Sequence, residues 1–443
     1  MSDSRPNEVS QLATAGLPSA NADIDTKLRR TGIDPDRLSV VQLGLRSHLT
    51  GVPSWLWRLL FGLALWSVTL LLEPVLAEQP PYLQATTKLL VGLIILIAAC
   101  EILVSATERL AARFQWNHYI AGTLAEILST TPELVVIAFV IPVSPITAFT
   151  IAVVTIYNNA LVFSLYSYFL PKDKEGKFLM PTPITEAGTQ ILIGGGAMGL
   201  ILGLVMLTLN STPESKSSFS VADLIFISLI LLTIFAVYMY KLITSYAKEE
   251  AEVREHLSMS ETDIEQRLEI VYANVKPSSF WLIGLLFMTG IFGSFIGGHE
   301  ISGFASTMIQ DLEINPILTA LVLALFAGMS EYVILWQSHR KQEYGISLAN
   351  AFGGITQVMF LVLPFTLLCI ALYQGFQNPV HPELPLEFSI SNIFLLLFLF
   401  PTFYTLSSLL EEDHTLGILD TTIMTGIFLF LIVLLVSYGG VTA

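Results

Sequence analysis

Little of this sequence is charged. Asp, Glu, Lys and Arg make up 13% of its 443 residues while 53% are of hydrophobic type, and an ordinary soluble domain carries roughly 25% charged residues. A water-soluble core cannot use that much apolar surface. The chain has 2 cysteines, Cys100 and Cys369, each inside an apolar run where it packs as a small hydrophobe, which excludes a disulfide framework. No glycine-rich phosphate loop opens a nucleotide-binding helix, which argues against ATP as the energy source. No basic stripe with interleaved aromatic residues offers a surface to nucleic acid. An enzyme working inside a membrane needs a nucleophile with its base, a His-Glu-x-x-His motif or paired catalytic aspartates, and none is found. The first 50 residues are polar and lack the basic-then-apolar pattern of a secretory signal, so they read as a cytoplasmic tail.

What is present is a series of long apolar runs, each near the roughly 20 residues with which a helix crosses about 30 Å of hydrocarbon. Runs such as LLVGLIILIAAC (89–100) do not alternate in polarity, which excludes a membrane β-barrel. The pattern predicts an all-α integral membrane protein of about 11 transmembrane helices, at 54–76, 88–112, 117–141, 145–170, 185–209, 220–246, 278–302, 316–338, 346–372, 388–409 and 417–438. The formal charge of −15 has to be read loop by loop in such a chain. With the N-terminus inside, 19 of the 21 Lys and Arg fall in inside segments, and only Lys88 and Lys216 fall outside. This predicts a multi-pass protein of a plasma or bacterial inner membrane, with a cytoplasmic N-terminus and lipid as its surroundings.

Five spans follow the first, then a long inside loop, then five more. An odd number of spans per half makes corresponding helices cross in opposite directions, the arrangement of inverted-topology repeats. The expected layout is a polar tail (1–53), an extra helix and loop (54–87), a first five-helix repeat (88–246), an acidic loop (247–277) and a second five-helix repeat (278–443). AGTLAEILSTTPELVV (121–136) and LVLALFAGMSEYVILW (321–336) each carry a deep glutamate, Glu133 and Glu331. Small or hydroxylated residues precede each one, Ser129–Pro132 in one half and Gly328–Ser330 in the other. An amide follows each 26 residues later, Asn159 and Gln357.

An ionised carboxylate in mid-bilayer costs at least about 2.5–3.5 kcal/mol, so such a residue signals function. No Lys or Arg lies in the middle of any span, which leaves protons or metal ions as the counter-charge. Hard cations such as Ca2+ take oxygen ligands from carboxylates, carbonyls and amides. The candidate ligands are therefore Glu133, Glu331, Asn159, Gln357, Thr130 and Ser330. Pro132, Gly328, Gly353 and Gly354 are expected to weaken their helices and free carbonyls there. The bland alternative makes the glutamates protonated groups and the amides interhelical glue, with Ser129, Gly353 and Gly194–Gly196 as close-packing residues. Glu126, two turns before Glu133, is a candidate second ion or proton site, as are Glu101, His299 and Glu300. Glu108 is expected to pair with Arg109 or Arg113.

At these residues the chain resembles the cation/calcium antiporter superfamily, whose two repeats each place a glutamate after a small-residue stretch in antiparallel helices. The resemblance covers the second to eleventh spans and is specific in the two repeats. GISLANAFGGITQVMFLVLP (345–364) looks most like the second repeat of calcium/proton antiporters, including Gln357. The resemblance implies Ca2+ and H+ as transported ions without a resident cofactor, Glu133 and Glu331 as central Ca2+ ligands, Asn159 and Gln357 near the site, and the second and seventh spans as gates. Three departures stand out. That branch has Gly-Asn ahead of each glutamate where this chain has Ser129–Thr131 and Ala327–Met329. It has histidine where this chain has Tyr332, and glutamine where this chain has Asn159. STTPE (129–133) is instead similar to the Na+/Ca2+ exchanger branch, so Na+/Ca2+ or monovalent cation/proton exchange stands as the alternative.

Overall fold

The computed structural model describes residues 54–114, 127–172, 175–180, 184–211, 218–256, 278–340, 344–377, 386–387, 390–411 and 414–438. The described spans are all helical, as the apolar runs require: hydrocarbon offers backbone groups no partners, and a helix supplies its own. Among the described residues, nine helices are long and apolar enough to cross a membrane, and Ile127–Val140 and Ile317–Ala327 are shorter apolar helices. The two short ones fall in the third and eighth predicted spans, which carry the glutamates.

In chain order, α1 (Ser54–Leu71) and the single turn α2 (Glu73–Ala77) precede α3 (Pro81–Phe114). The first half continues with α4 (Thr131–Val140), α5 (Pro145–Tyr166), α6 (Thr189–Ser211) and α7 (Val221–His256). The second half holds α8 (Phe280–Ser306), α9 (Pro316–Ala327), α10 (Met329–Arg340) and α11 (Tyr344–Gln357). It ends with α12 (Leu363–Gln377), α13 (Ile390–Glu411) and α14 (Ile418–Tyr438). Starts are set by short polar residues ahead of proline or an apolar run. Ser144 accepts from the Thr147 amide ahead of α5, and Asn315 accepts from the Ile317 amide ahead of α9 at 2.8 Å.

Two spans form the centre. The most apolar stretch of α5 is 83% buried and that spanning α11 and α12 is 72% buried, against 11% for α1 and 22% for α14. The peripheral helices carry large exposed side chains such as Trp57, Phe61, Phe226, Tyr240 and Phe430, which suits lipid as solvent. The pairings across the halves include α3 with α8, α6 with α13, α5 with α11, α4 with α8, α3 with α10, α5 with α9, α4 with α12, α7 with α12 and α5 with α14. Missing side chains let the closest of these touch at the backbone. A Cβ on Gly92 would stand 2.9 Å from the Gly297 carbonyl oxygen, and one on Gly297 equally close to that of Gly92. Gly195 and Gly196 of α6 pack closely on Phe360 and Phe400, but a Cβ on Gly194 would meet nothing within 4 Å, so Gly194 is not the packing residue expected.

Two short antiparallel ladders tie the connections. β1 (Phe178–Leu179) pairs with β4 (Thr415–Leu416), and β2 (Ser218–Phe219) pairs with β3 (Leu386–Glu387). Each ladder joins two connections that the span alternation puts on one side of the membrane. The tail 1–53 lies outside the described residues, and so does most of the acidic loop. The described part of that loop, 247–256, simply continues α7.

Candidate functional site

The third and eighth spans are broken where the small residues predict it. Thr130 forms a turn ahead of α4, with Pro132 in the first turn of that helix. Gly328 separates α9 from α10, its carbonyl accepting from the amides of Glu331 at 3.1 Å and Tyr332 at 3.3 Å. Both glutamates therefore sit in the first turn of a half-helix, where unpaired N–H groups and the helix dipole favour negative charge. The ninth span behaves otherwise. α11 runs unbroken through Gly353 and Gly354, and the irregular turn comes later, as the π-helical segment Val358–Val362.

Gly354 has a different use. A Cβ there would stand 2.5 Å from Glu331 Oε2 and 2.9 Å from Asn159 Nδ2, so the hydrogen in its place lets α11 seat the carboxylate and the amide together. Across the same space, a Cβ on Gly328 would lie 2.9 Å from the Tyr332 hydroxyl and 3.4 Å from Asn159 Oδ1. The carboxylates of Glu133 and Glu331 interact electrostatically, and the Thr155 hydroxyl faces Glu133. Asn350 Nδ2 donates to the Glu331 backbone oxygen at 3.1 Å, tying α11 to α10. Four separate stretches of chain, α4, α5, α10 and α11, thus converge on one buried polar centre.

That centre is buried and underbonded. Glu133 is 1% exposed, Glu331 4%, and Asn159 and Gln357 each 2%. Glu133 Oε1, Glu331 Oε1, both amide atoms of Asn159, Gln357 Oε1 and the Tyr332 hydroxyl are buried without a hydrogen-bond partner. Native interiors satisfy nearly all such atoms, which sets these apart as candidates to hold an ion. Two carboxylates and several neutral oxygens form the donor set that a hard cation takes up, and each carboxylate can instead take a proton. No group of three or more His, Cys, Asp or Glu occurs among the described residues, so neutral oxygens have to complete any shell.

The other sequence candidates are distributed differently. Thr130 is fully buried and donates to the Ile127 carbonyl at 2.6 Å, leaving its lone pairs available. Ser330 stands beside Glu331 in α10, but its side chain is outside the described residues, as are Glu126 and the side chain of Glu108. Arg109 donates to the Ser278 hydroxyl at 3.1 Å and Arg113 to the Ser278 carbonyl at 2.8 Å. Glu101 forms an ion pair with Arg58 of α1. Trp66, also of α1, donates to Glu300 at 3.0 Å. The His299 ring packs edge-on against Phe139, 5.8 Å between centroids. These residues join α1, α3 and α8 to one another and to the far end of α4, not to the paired glutamates. The sequence reading missed Tyr332, Asn350 and Thr155 as site residues. Two of them had a signal in spacing: Asn350 is two helical turns before Gln357, and Thr155 one turn before Asn159.

Residues 281–437 match the sequence profile of the family described as sodium/calcium exchanger protein. No curated protein sequence matches the chain. Among solved structures, the crystal structure of the H+/Ca2+ exchanger CAX is similar, with a TM-score of 0.58 at 12% identity, covering 86% of this chain and 89% of that one. The structure of native YfkE is also similar, with a TM-score of 0.54 at 11% identity, covering 85% of this chain and 98% of that one. At such identities the likeness speaks for the fold, and the profile match speaks for residues 281–437. The exchanger sequence profile thus lies in the second half of the chain, and the fold is shared with these two structures along most of its length.

Proposed function

We propose that the protein is a secondary active antiporter that exchanges Ca2+ for H+ by alternating access at the Glu133–Glu331 pair. The observation that carries this reading is the pair itself. Two buried carboxylates interact across the centre of a membrane-type fold, with unpartnered oxygens of Asn159 and Gln357 buried in the same interior. Two negative charges match one divalent cation or two protons, so the site is neutral when either is bound. Bringing either through the bilayer with the site neutralised avoids the cost of a bare charge in hydrocarbon. Competition for the same carboxylates couples the fluxes: proton binding neutralises the glutamates and expels the metal.

An inverted repeat is part of the proposal. Pairings across the halves come as exchanged partners: α5 with α9 answers α4 with α12, α7 with α12 answers α5 with α14, and α4 with α8 answers α3 with α10. The ladders exchange likewise, since the third connection of each repeat pairs with the fourth of the other. An axis in the membrane plane relating the halves supports a site at the midplane that either end can reach.

The test is flux in liposomes under an imposed pH gradient, with Na+ as the rival driver. Ca2+ uptake driven by protons is expected in the parent protein, and its loss in Glu133→Gln and in Glu331→Gln. Uptake driven by Na+ alone would replace H+ with Na+ as the coupling ion. No movement of Ca2+ or Na+ under any gradient would refute the antiporter reading.

A further inference from the structure

The two ends of the site differ chemically although the halves match. An offset of 198 residues relates Glu133 to Glu331 and Asn159 to Gln357. Beside Glu331 lies a cavity of about 10 Å³, lined among others by Asn159, Tyr332, Leu335 and Asn350, about the space one water molecule needs. One turn further along, Ser347 lies close to the Leu335 carbonyl and to the Tyr166 hydroxyl. The column ends in an aromatic cluster. Tyr166 meets His339 edge-on at 5.7 Å between centroids, with its hydroxyl 3.4 Å from Nδ1, and His339 meets Tyr344 at 5.5 Å.

The same offset applied to the other end gives a contrasting set. Tyr332, Asn350, Ser347, His339 and Tyr344 correspond to Leu134, Ala152, Phe149, Ile141 and Ile146. Ala152 is fully buried, Ile141 and Phe149 are 2% and 3% exposed, and Leu134 and Ile146 pack against the same core. Of the polar residues at that end, Thr147 bonds Ser144 at the cap of its own helix, and Thr150 donates to the Ile146 carbonyl and to Asn392 Oδ1 of α13, which ties two helices together.

We infer that Tyr332, Asn350 and Ser347 line the access path between the paired glutamates and the aqueous phase at the His339 end, with the Tyr166–His339–Tyr344 cluster as its gate. An ion shedding water needs replacement oxygens on its way, and at the matched positions this end alone supplies them. The opposite end is sealed by apolar packing in this conformation. The inference rests on the paired-glutamate reading for what travels the path, but the path itself can be tested without transport.

The test uses protein carrying Cys100→Ala and Cys369→Ala in lipid nanodiscs, where both ends face solution. Leu335→Cys and its counterpart Ile137→Cys are each treated with a small charged, membrane-impermeant thiosulfonate, and modification is followed by intact mass. Leu335→Cys is expected to react at least about tenfold faster, roughly 1.4 kcal/mol in the free energy of exposing the thiol. Adding His339→Ala or Tyr166→Ala should raise its rate several-fold and leave that of Ile137→Cys unchanged. Equal rates, or faster reaction at Ile137→Cys, overturn the path, and indifference to both aromatic-cluster substitutions overturns the gate. Ala351→Cys against Val153→Cys is the second pair should the first misfold. Absent Ca2+ flux with this labelling asymmetry intact would overturn the proposed function and leave the path standing.

Discussion

Glu331 and Gly354 depend on each other. The carboxylate lies where a side chain on residue 354 would be, so the glycine is a cutout for the site and not the helix breaker its residue type advertises. Gly354→Ala is therefore expected to push Glu331 and Asn159 aside and cost about 1–3 kcal/mol, the range for overpacking a filled interior. Thermal unfolding measures this cost, isothermal titration with Ca2+ in detergent should show weakened binding, and unchanged affinity would remove Gly354 from the site. The glutamates themselves were legible in the sequence because a carboxylate in an apolar run stands out. Tyr332 did not stand out as a site residue, since tyrosine is ordinary in a membrane helix and only its unpartnered buried hydroxyl marks it.

The elements divide into helices that hold and helices that break. α6 and α13 hold, because Gly199 lets a Leu399 side chain occupy its space: a Cβ there would lie 2.7 Å from Leu399 Cδ1 and 3.1 Å from the Leu396 carbonyl oxygen. Gly199→Leu is expected to lower stability by about 1–3 kcal/mol, read as an earlier midpoint in thermal unfolding monitored by tryptophan fluorescence. An unchanged midpoint would show that the two helices do not need this approach. α1 has its own small apolar cluster of Leu59 with Ala98, Ile102 and Leu286. With Arg58 on Glu101 and Trp66 on Glu300, it grips both α3 and α8, which are the helices that the family resemblance names as gates. The sequence predicted α1 as an extra helix but not this grip, because a spacing along one helix gives its face and not the neighbour that face meets.

For the whole molecule, a ligand that binds only the folded state raises stability by about 2.7 kcal/mol at one hundred times its Kd. Saturating Ca2+ is thus expected to raise the unfolding temperature of the detergent-solubilised protein, and to have no effect on a Glu133→Gln, Glu331→Gln double variant. Acidification should remove the Ca2+-dependent rise, because each proton taken up cancels a charge the metal needs. Scanning fluorimetry across pH checks both, and a rise that survives in the double variant would locate Ca2+ elsewhere. In the proposed exchange, selection of the coupling ion also belongs to this scale, since an ion acts by shifting the equilibrium between whole-molecule conformations.

By itself the sequence determined the solvent, the helical class and the residues whose burial is costly. Lipid imposes length and apolarity on every span, and a departure from that rule is visible one residue at a time. It also marked the breaks at Thr130 and Gly328, because small residues and proline act on the backbone locally. Only the tertiary structure decided which side chains meet: that Asn159 of α5 sits with Glu331 of α10 on Gly354 of α11, that Glu101 pairs with Arg58, and that polar residues line one end of the site while isoleucine and phenylalanine fill the other. Those contacts join residues tens to hundreds of positions apart. They are set by how helix faces pack, which no local pattern records.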